Sequence, residues 1–428
     1  MKRSTLAGGI VLTLFLQALV CLPVFAESVP RSINEIVALA LKQSADVAAL
    51  ENEAVAKQSL AVQAGTISNP TLEVQGASGS LTGSPEERSV SIGINQELPL
   101  NGKLRLRRDA VRYEAEVVQR QRDNAVRLLK DEVRTLALEL VLISKRQELA
   151  ADQVKLNRDL VSITGERFKA GDIPELELNL AKVELARAES RLMEVERELI
   201  PLRIKLASLT ALNENDINLS DRLSAPVTVP DSRDLVKHAL VARPDLLALA
   251  RECDKAETET RLAAAEALPN LTAGIFVQWQ RGSTEVGGMS STSSDTLLGL
   301  SLSIPIPVFD RNRGGRDAAQ SRLDASGSRR LALERAITAE VESAISRLSS
   351  AERMLGLYEQ GIIPQLAENL KLTREAYQLG EVGILSVIDE QKKFFEVNDN
   401  YLAALHSKRM ALTKLETAAA TDFTGGVK

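Results

Sequence analysis

Two hydrophobic periods divide this 428-residue chain, and each predicts a different kind of element. Four segments alternate apolar and polar residues with period two, the pattern of strands. In TLEVQG, Leu72 and Val74 oppose Glu73 and Gln75; in SVSIGINQEL, Val90, Ile92 and Ile94 oppose Ser91, Gly93 and Asn95. LTAGIFVQW sets Leu271, Ala273, Ile275, Val277 and Trp279 on one face, and LLGLSLSIPI sets Leu298, Leu300, Leu302, Ile304 and Ile306 against Gly299, Ser301, Ser303 and Pro305. Taken singly, each reads as a half-buried strand of a soluble sheet. Four together, each with small or polar residues opposite the apolar ones, fit strands that separate lipid from a wet lumen. They pair as hairpins over about 70–99 and 270–307, tipped by GASGSLTGSPEE and RGSTEVGGMSSTSSD.

Between the hairpins the period changes to that of long helices. From about Arg112 to Arg167, Val126, Leu129, Val133, Leu136, Leu140 and Ile143 follow three-four spacing, with Val154 and Val161 on the same seam. Such a helix spans roughly 80 Å. RFKAGDIPEL then breaks it, with Gly171 as turn residue and Pro174 in the first turn of a returning helix. That helix carries Leu178, Leu185, Leu192, Leu199 and Leu206 at seven-residue intervals, with Ala181, Ala188, Val195, Leu202 and Leu209 three positions on. The heptad predicts an antiparallel coiled coil.

The second half repeats the first. EIVALALKQSADVAAL (Glu35–Leu50) matches DLVKHALVARPDLLAL (Asp234–Leu249), and Pro70 matches Pro269 at the same offset. IGINQELPLNGKLRLRRDA matches LSLSIPIPVFDRNRGGRDA, two strand-to-helix corners that pass through Pro99 and Pro307 and a basic turn into RDA. ERFKAGD matches EAYQLGE, pairing Phe168 with Tyr377 and Gly171 with Gly380. Each half reads helix, β-hairpin, very long helix, turn, returning helix. The predicted organisation is a signal peptide over 1–26 and repeats over 27–230 and 231–428, joined by the polar segment NENDINLSDRLSAPVTVPDSRD.

The N-terminus changes the compartment. Lys2 and Arg3, an apolar run and Val24-Phe25-Ala26 form a secretory signal with cleavage after Ala26. Cys21 offers the alternative of a lipoprotein cysteine, against which Val20 stands where a small residue belongs. After cleavage at Ala26, Cys253 is the one thiol left, so no disulfide forms within the chain. No later segment has the 18 to 20 continuous apolar residues of a transmembrane helix, so a membrane crossing falls to the strands.

Composition narrows the class further. Aromatic residues make up 3%, and Ala, Leu, Glu and Arg dominate, as in long helices packed along their length. The net charge of −5 argues against nucleic acid as a partner. His238 and His406 stand far apart without ligand-spaced Cys or carboxylates, which leaves no metal motif. No phosphate loop, nucleophile elbow or dinucleotide fingerprint is present, so neither catalysis nor a cofactor is expected. Asp172, Glu175 and Glu177 near the first tip are either a solvated helix face or the lining of a tunnel mouth.

With its duplicated architecture, its proline corners, its Phe168-to-Gly171 and Tyr377-to-Gly380 turns, and the stretches NPTLEV and PIPVFDRNRGG, the chain resembles the TolC family of outer-membrane efflux proteins, in particular the cobalt-zinc-cadmium subgroup. Four strands cannot close on themselves, and an open sheet in lipid leaves unpaired backbone groups, so chains must share a barrel. The resemblance implies a mixed, mainly α protomer that forms a homotrimer in outer-membrane lipid, a 12-stranded β-barrel continued by a periplasmic α-barrel. It also implies a periplasmic adaptor and an inner-membrane proton-driven pump as partners. The implied function is passive export, of divalent heavy-metal cations in that subgroup. Drug efflux or type I protein secretion through the same duct is the nearer alternative, and a periplasmic coiled-coil adaptor the more distant one. The family's gate carries acids six and nine residues after the second tip glycine, which here are Ser386 and Asp389. The resemblance thus makes Asp389, Ser386 and Tyr377 the gate candidates, with inter-helix contacts from Tyr377, Lys392 or Lys393 holding the closed state.

Overall fold

The computed structural model describes residues 30–82, 84–221, 223 and 232–423. The expected signal peptide, with Cys21 and Ala26, and the expected repeat boundary at 230/231 lie outside the described residues.

Both ends of the first helical unit are set by local chemistry. α1 (Ile33–Gln43) begins with a capping box, in which Ser32 Oγ accepts from the Glu35 amide and Glu35 Oε2 accepts from the Ser32 amide. α2 (Ala45–Ala64) follows, capped by Ser44. β1 (Thr71–Ser78) and β2 (Arg88–Leu98) form the first hairpin, and α3 (Lys103–Ala170) and α4 (Glu175–Thr210) the first helical hairpin. The order recurs as α5 (Ser232–Ala242), α6 (Pro244–Glu266), β3 (Leu271–Val286), β4 (Met289–Ser303), α7 (Arg313–Leu357), α8 (Ile363–Leu379) and α9 (Ile384–Ala419).

α3 is 68 residues long, about 100 Å, and starts at Lys103 rather than near Arg112. The missed turns read KLRLR, an alternation of period two. The backbone is turned into the helix by Asn101 and Gly102, both left-handed at φ 58° and 70°. On α4 the heptad seam is buried at Ala181, Ala188, Val195, Leu199 and Leu206; the last three cluster with Val133, Leu136, Leu140 and Ile143 of α3, and Ala181 joins Leu160 of α3 in a second cluster near the tip. Small residues at 181 and 188 let the two helices approach closely. The second long helix is not a copy of the first. It is interrupted between α7 and α8 by a π-helical turn, Tyr358–Ile362, where Gly361 and Pro364 stand in the sequence. Pro364 supplies no N–H to the ladder, and the wider turn absorbs the break.

The four strands make one antiparallel sheet in the order β1-β2-β3-β4, so the two repeats meet at the β2·β3 ladder. β1 and β4 are its free edges. The second hairpin differs from the loop-tipped expectation. Its strands run through the predicted tip and turn on Gly287 and Gly288 alone, both at positive φ as a type I′ turn requires. β4 also ends at Ser303, which leaves Ile304, Ile306 and Pro307 in an irregular corner before α7.

Residues Arg31 to Asp221 tie the start of the described chain to the segment between the repeats. Arg31 pairs in parallel with Leu219, and the Ile33 amide donates to Asp221 Oδ2 at 2.6 Å. Ile217 and Leu223 join Ile33, Ile36 and Val37 in the core at mid-height.

Candidate conduction path and periplasmic gate

Register assigns the two faces of the sheet. Leu72, Ile94, Ile275 and Leu300 lie in one row, Val74, Ile92, Val277 and Leu298 in the next, and all but Val277 are among the exposed large apolar residues. Such a face is stable in hydrocarbon and not in water. Among the described residues no helix is long and apolar enough to cross a membrane.

The opposite face carries Glu73, Gln75, Ser91, Asn95, Glu97, Gln278, Gln280, Asp295 and Ser301, and none of its strand positions is Lys or Arg. Its polar groups are tied together. Asn95 Nδ2 donates to Glu73 Oε2 at 2.6 Å, Ser301 Oγ bonds Asn95 Oδ1 at 3.3 Å, and Asn270 Nδ2 donates to Glu97 Oε1 at 2.6 Å. One large ring interrupts them: Phe276 lies between Gly93 and Gly299, where a Cβ on either glycine would overlap it. The polar face is therefore acidic and tied together by hydrogen bonds.

Below the sheet, the corners sit where the sequence places them. Pro99 follows the last residue of β2, and buried Lys103 donates to the Leu268 carbonyl and to Asn270 Oδ1, both at 2.5 Å, which locks the first corner to the start of the second hairpin. Pro307 lies in the second corner, where Asn312, at φ 51°, opens α7 and donates from Nδ2 to the Ala263 carbonyl at 2.9 Å.

Gly171 and Gly380 end α3 and α8 with φ of 80° and 82°. Each is followed by an amide that reaches back five residues, Asp172 to the Arg167 carbonyl at 3.0 Å and Glu381 to the Ala376 carbonyl at 2.9 Å. Those bonds close a helix terminus on a left-handed residue, a position that favours glycine. The two tips differ at their aromatic residues. Phe168 is 39% exposed, whereas Tyr377 is 1% exposed and packs with Leu160, Ala181, Ile384, Val387 and Ile388. Tyr377 Oη donates to Glu177 Oε2 at 3.2 Å, Arg167 Nη1 donates to the Tyr377 carbonyl at 2.8 Å, and the Arg167 guanidinium lies 4.9 Å from the ring centroid. Burial, with Glu177 adding, pushes the Tyr377 hydroxyl up from its ordinary pKa.

Ser386 and Asp389 are exposed on α9, and their side chains make no hydrogen bond or ion pair among the described residues. Lys392 and Lys393 do not face Asp389 as counter-ions: Lys392 pairs with Glu184 at 3.1 Å and Lys393 with Glu390 at 3.5 Å. The acid six residues after the tip glycine, missing at Ser386 in the second repeat, is present in the first as Glu177.

Sequence reasoning missed one cluster, where the C-terminus of α9 meets the N-terminus of α6. Arg243 is 4% exposed; it bonds Asp245 at 2.7 Å, Glu340 at 2.5 Å and the Ala418 carbonyl at 3.2 Å. Arg127 donates to the Thr417 carbonyl at 2.7 Å. Two guanidiniums thus add hydrogen bonds to carbonyls in the last turn of α9. The signal was the Arg-Pro-Asp at 243–245, which matches Ser44-Ala45-Asp46 in the first repeat but carries a charge there. Among the described residues no group of His, Cys, Asp and Glu is arranged to hold a metal ion. His238 is an exposed residue of α5, and His406 is partly buried on α9.

The profile of the outer membrane efflux protein family matches residues 36–212 and again 235–421. The chain belongs to this family. Its members are outer-membrane channels that extend into the periplasm, and the chain is a TolC-family efflux channel of that kind. It is 22% identical to the cobalt-zinc-cadmium resistance protein CzcC of Cupriavidus metallidurans, over 92% of this chain and 91% of the relative. It is 24% identical to the pyoverdine export outer membrane protein OpmQ of Pseudomonas putida, over 79% and 71%. Among solved structures, CusC superposes with a TM-score of 0.76 at 18% identity over 92% of this chain and 93% of that one. VceC of Vibrio cholerae superposes with a TM-score of 0.72 at 16% identity over 91% and 96%. The family's fold, with tandem repeats, accounts for the doubled order of elements.

Proposed function

We propose that this protein is the passive outer-membrane duct of a tripartite efflux assembly, a homotrimer fed by an inner-membrane proton-driven pump through a periplasmic adaptor, and that it exports divalent heavy-metal cations. The observation that carries the duct is the four-stranded sheet with two open edges and one apolar face. Each unpaired backbone group in lipid costs several kcal/mol. Pairing β4 of one copy with β1 of the next removes every open edge, and three copies make the twelve strands that the TolC resemblance implies. The protein supplies no energy and no chemistry in this reading; it holds a water-filled path open or shut.

The cargo assignment is supported by the likeness to CzcC and by a lumen face whose charged groups, Glu73, Glu97 and Asp295, are all acidic. Rings of like charge select ions of opposite sign in narrow passages. The likeness to OpmQ favours a second reading, an organic cargo through the same duct. Deleting the gene and titrating cobalt, zinc, cadmium and nickel decides between them. Heightened sensitivity to these ions, reversed by the intact gene, is the outcome expected; sensitivity to organic compounds alone moves the cargo to the second reading.

The proposed gate is the periplasmic end, where Gly171 and Gly380 turn the helices. Three exposed Asp389 carboxylates, one per protomer, form the charged constriction, and Ser386 widens it where the family carries a second acid. Tyr377, clamped by Glu177 and Arg167, holds the second tip against the first in the closed state.

A further inference from the structure

The last row that all four strands share on the sheet's apolar face differs from the rows beneath it. Moving away from the helices, the row Val74, Ile92, Val277, Leu298 is followed by Gly76, Val90, Trp279, Thr296, and then by Ser78, Arg88, Arg281, Ser294. Directly paired residues and every second residue share a face, so the two arginines stand on the same side as the apolar rows. Both are exposed, and they are direct partners on adjacent strands, about 5 Å apart at the backbone. Like charges directly opposite each other destabilise a strand pair. One carboxylate is near, Glu86 Oε2 at 3.8 Å from Arg281 Nη2, and Arg88 has no ion pair among the described residues. The row keeps a net positive charge, and serine hydroxyls flank it.

We propose that Arg88 and Arg281 bind the phosphate group of an outer-leaflet lipid. A guanidinium meets phosphate through two parallel hydrogen bonds, so one phosphate between two cross-strand arginines replaces a repulsion by two attractions. The position selects a lipid over a free anion. Trp279 lies two residues nearer the helices on the same face, and an aromatic ring there marks the boundary between hydrocarbon and head groups. Acyl chains of the bound lipid lie along Val90, Ile92 and Ile94, and its head group meets the arginines about 7 Å beyond Trp279. The hairpin turns lie at the end of the sheet away from the helices, so the site faces the cell exterior. The inference rests on the reading of the sheet as a barrel wall in the outer membrane.

The test is native mass spectrometry of the purified full-length protein in mild detergent, titrated with diphosphorylated lipid A or with its fully dephosphorylated form. The intact protein is expected to retain the phosphorylated lipid at least about tenfold better than the dephosphorylated one, and R88Q/R281Q is expected to lose that preference. R88K/R281K, which keeps both charges but loses the forked donors, is expected to retain only part of it. Equal retention by the intact protein and R88Q/R281Q, in a sample that still migrates as the folded oligomer, overturns the inference while leaving the duct intact. Displacement of the lipid by millimolar inorganic phosphate also overturns it, since the site would then be one for free anions. Absence of the protein from the outer-membrane fraction defeats the duct itself, an outcome separate from either.

Discussion

At the scale of single residues, the second tip concentrates the functional argument. The Asp389 side chain is exposed and without a partner among the described residues, so in the proposed gate its charge is available to the path. In the proposed trimer, replacing it by Asn removes three charges from one ring. In planar bilayers Asp389→Asn is expected to lower cation selectivity and to weaken block by divalent ions; recordings indistinguishable from the unmodified channel would refute the gate assignment. His406 gives a second prediction at this scale. Burial, with the charge of Arg146 adding, holds its imidazole below the usual value near 6.5, and its Nε2 is buried without a partner. The unfolded chain binds this proton at about 6.5 and the folded protein only at lower pH, so the unfolded state holds more protons in between. The stabilisation is whole above about 6.5 and declines as pH falls through the folded value. His406→Gln should therefore lose less thermal stability between pH 7.5 and 5.5 than the unmodified protein, and an unchanged pH slope would rule this out.

At the scale of elements, the α9–α6 junction and the π turn set the rigid and yielding parts of the second repeat. Removing one partner of a buried ion pair leaves uncompensated charge and costs about 3 kcal/mol or more. Arg243→Ala removes the bonds to Asp245, Glu340 and the Ala418 carbonyl and leaves Asp245 only Arg127 and the Leu246 amide; a drop in unfolding free energy of about 3 kcal/mol is the expected result of denaturant titration, and a change below about 0.5 kcal/mol would mean that the cluster is solvated. The π turn at Tyr358–Ile362 breaks the regular ladder, whereas residues 149–153, its counterparts in the first repeat, lie in unbroken helix. Amide exchange should be faster at 358–363 than at 149–154, and equal protection would contradict a hinge there. Sequence pattern reached most of these elements and failed at definable places. The heptads of α4 and the alternation of the strands were legible because each buries or lipidates one face. Beyond Arg281 the second hairpin is mostly Gly, Ser and Thr on both faces, so no alternation survives, and only the Gly-Gly turn and backbone pairing reveal strand. At Lys103 to Arg107 the alternation of leucine and basic residues imitates a strand inside a helix. The Arg243 cluster was invisible because its partners, Glu340 and Ala418, are distant in sequence. The candidate site was legible in part: the tip glycines stand out by their repeat, but the clamp of Tyr377 by Glu177 joins residues 200 positions apart.

At the scale of the whole molecule, the protomer is incomplete by its own physics. Its sheet has an apolar exposed face and two open edges, and its long helices carry partly buried seams, such as Val126 and Leu129 on α3, that no element of the same chain covers fully. A tandem duplication doubles the strands without closing the barrel, so closure must come from further copies. The central claim is that three copies close it. Native mass spectrometry of the protein extracted from the outer membrane in mild detergent tests this most directly. The account predicts one dominant species at three times the mass of the mature chain, dissociating to monomer on heating; a monomer or dimer as the dominant unheated species would contradict it.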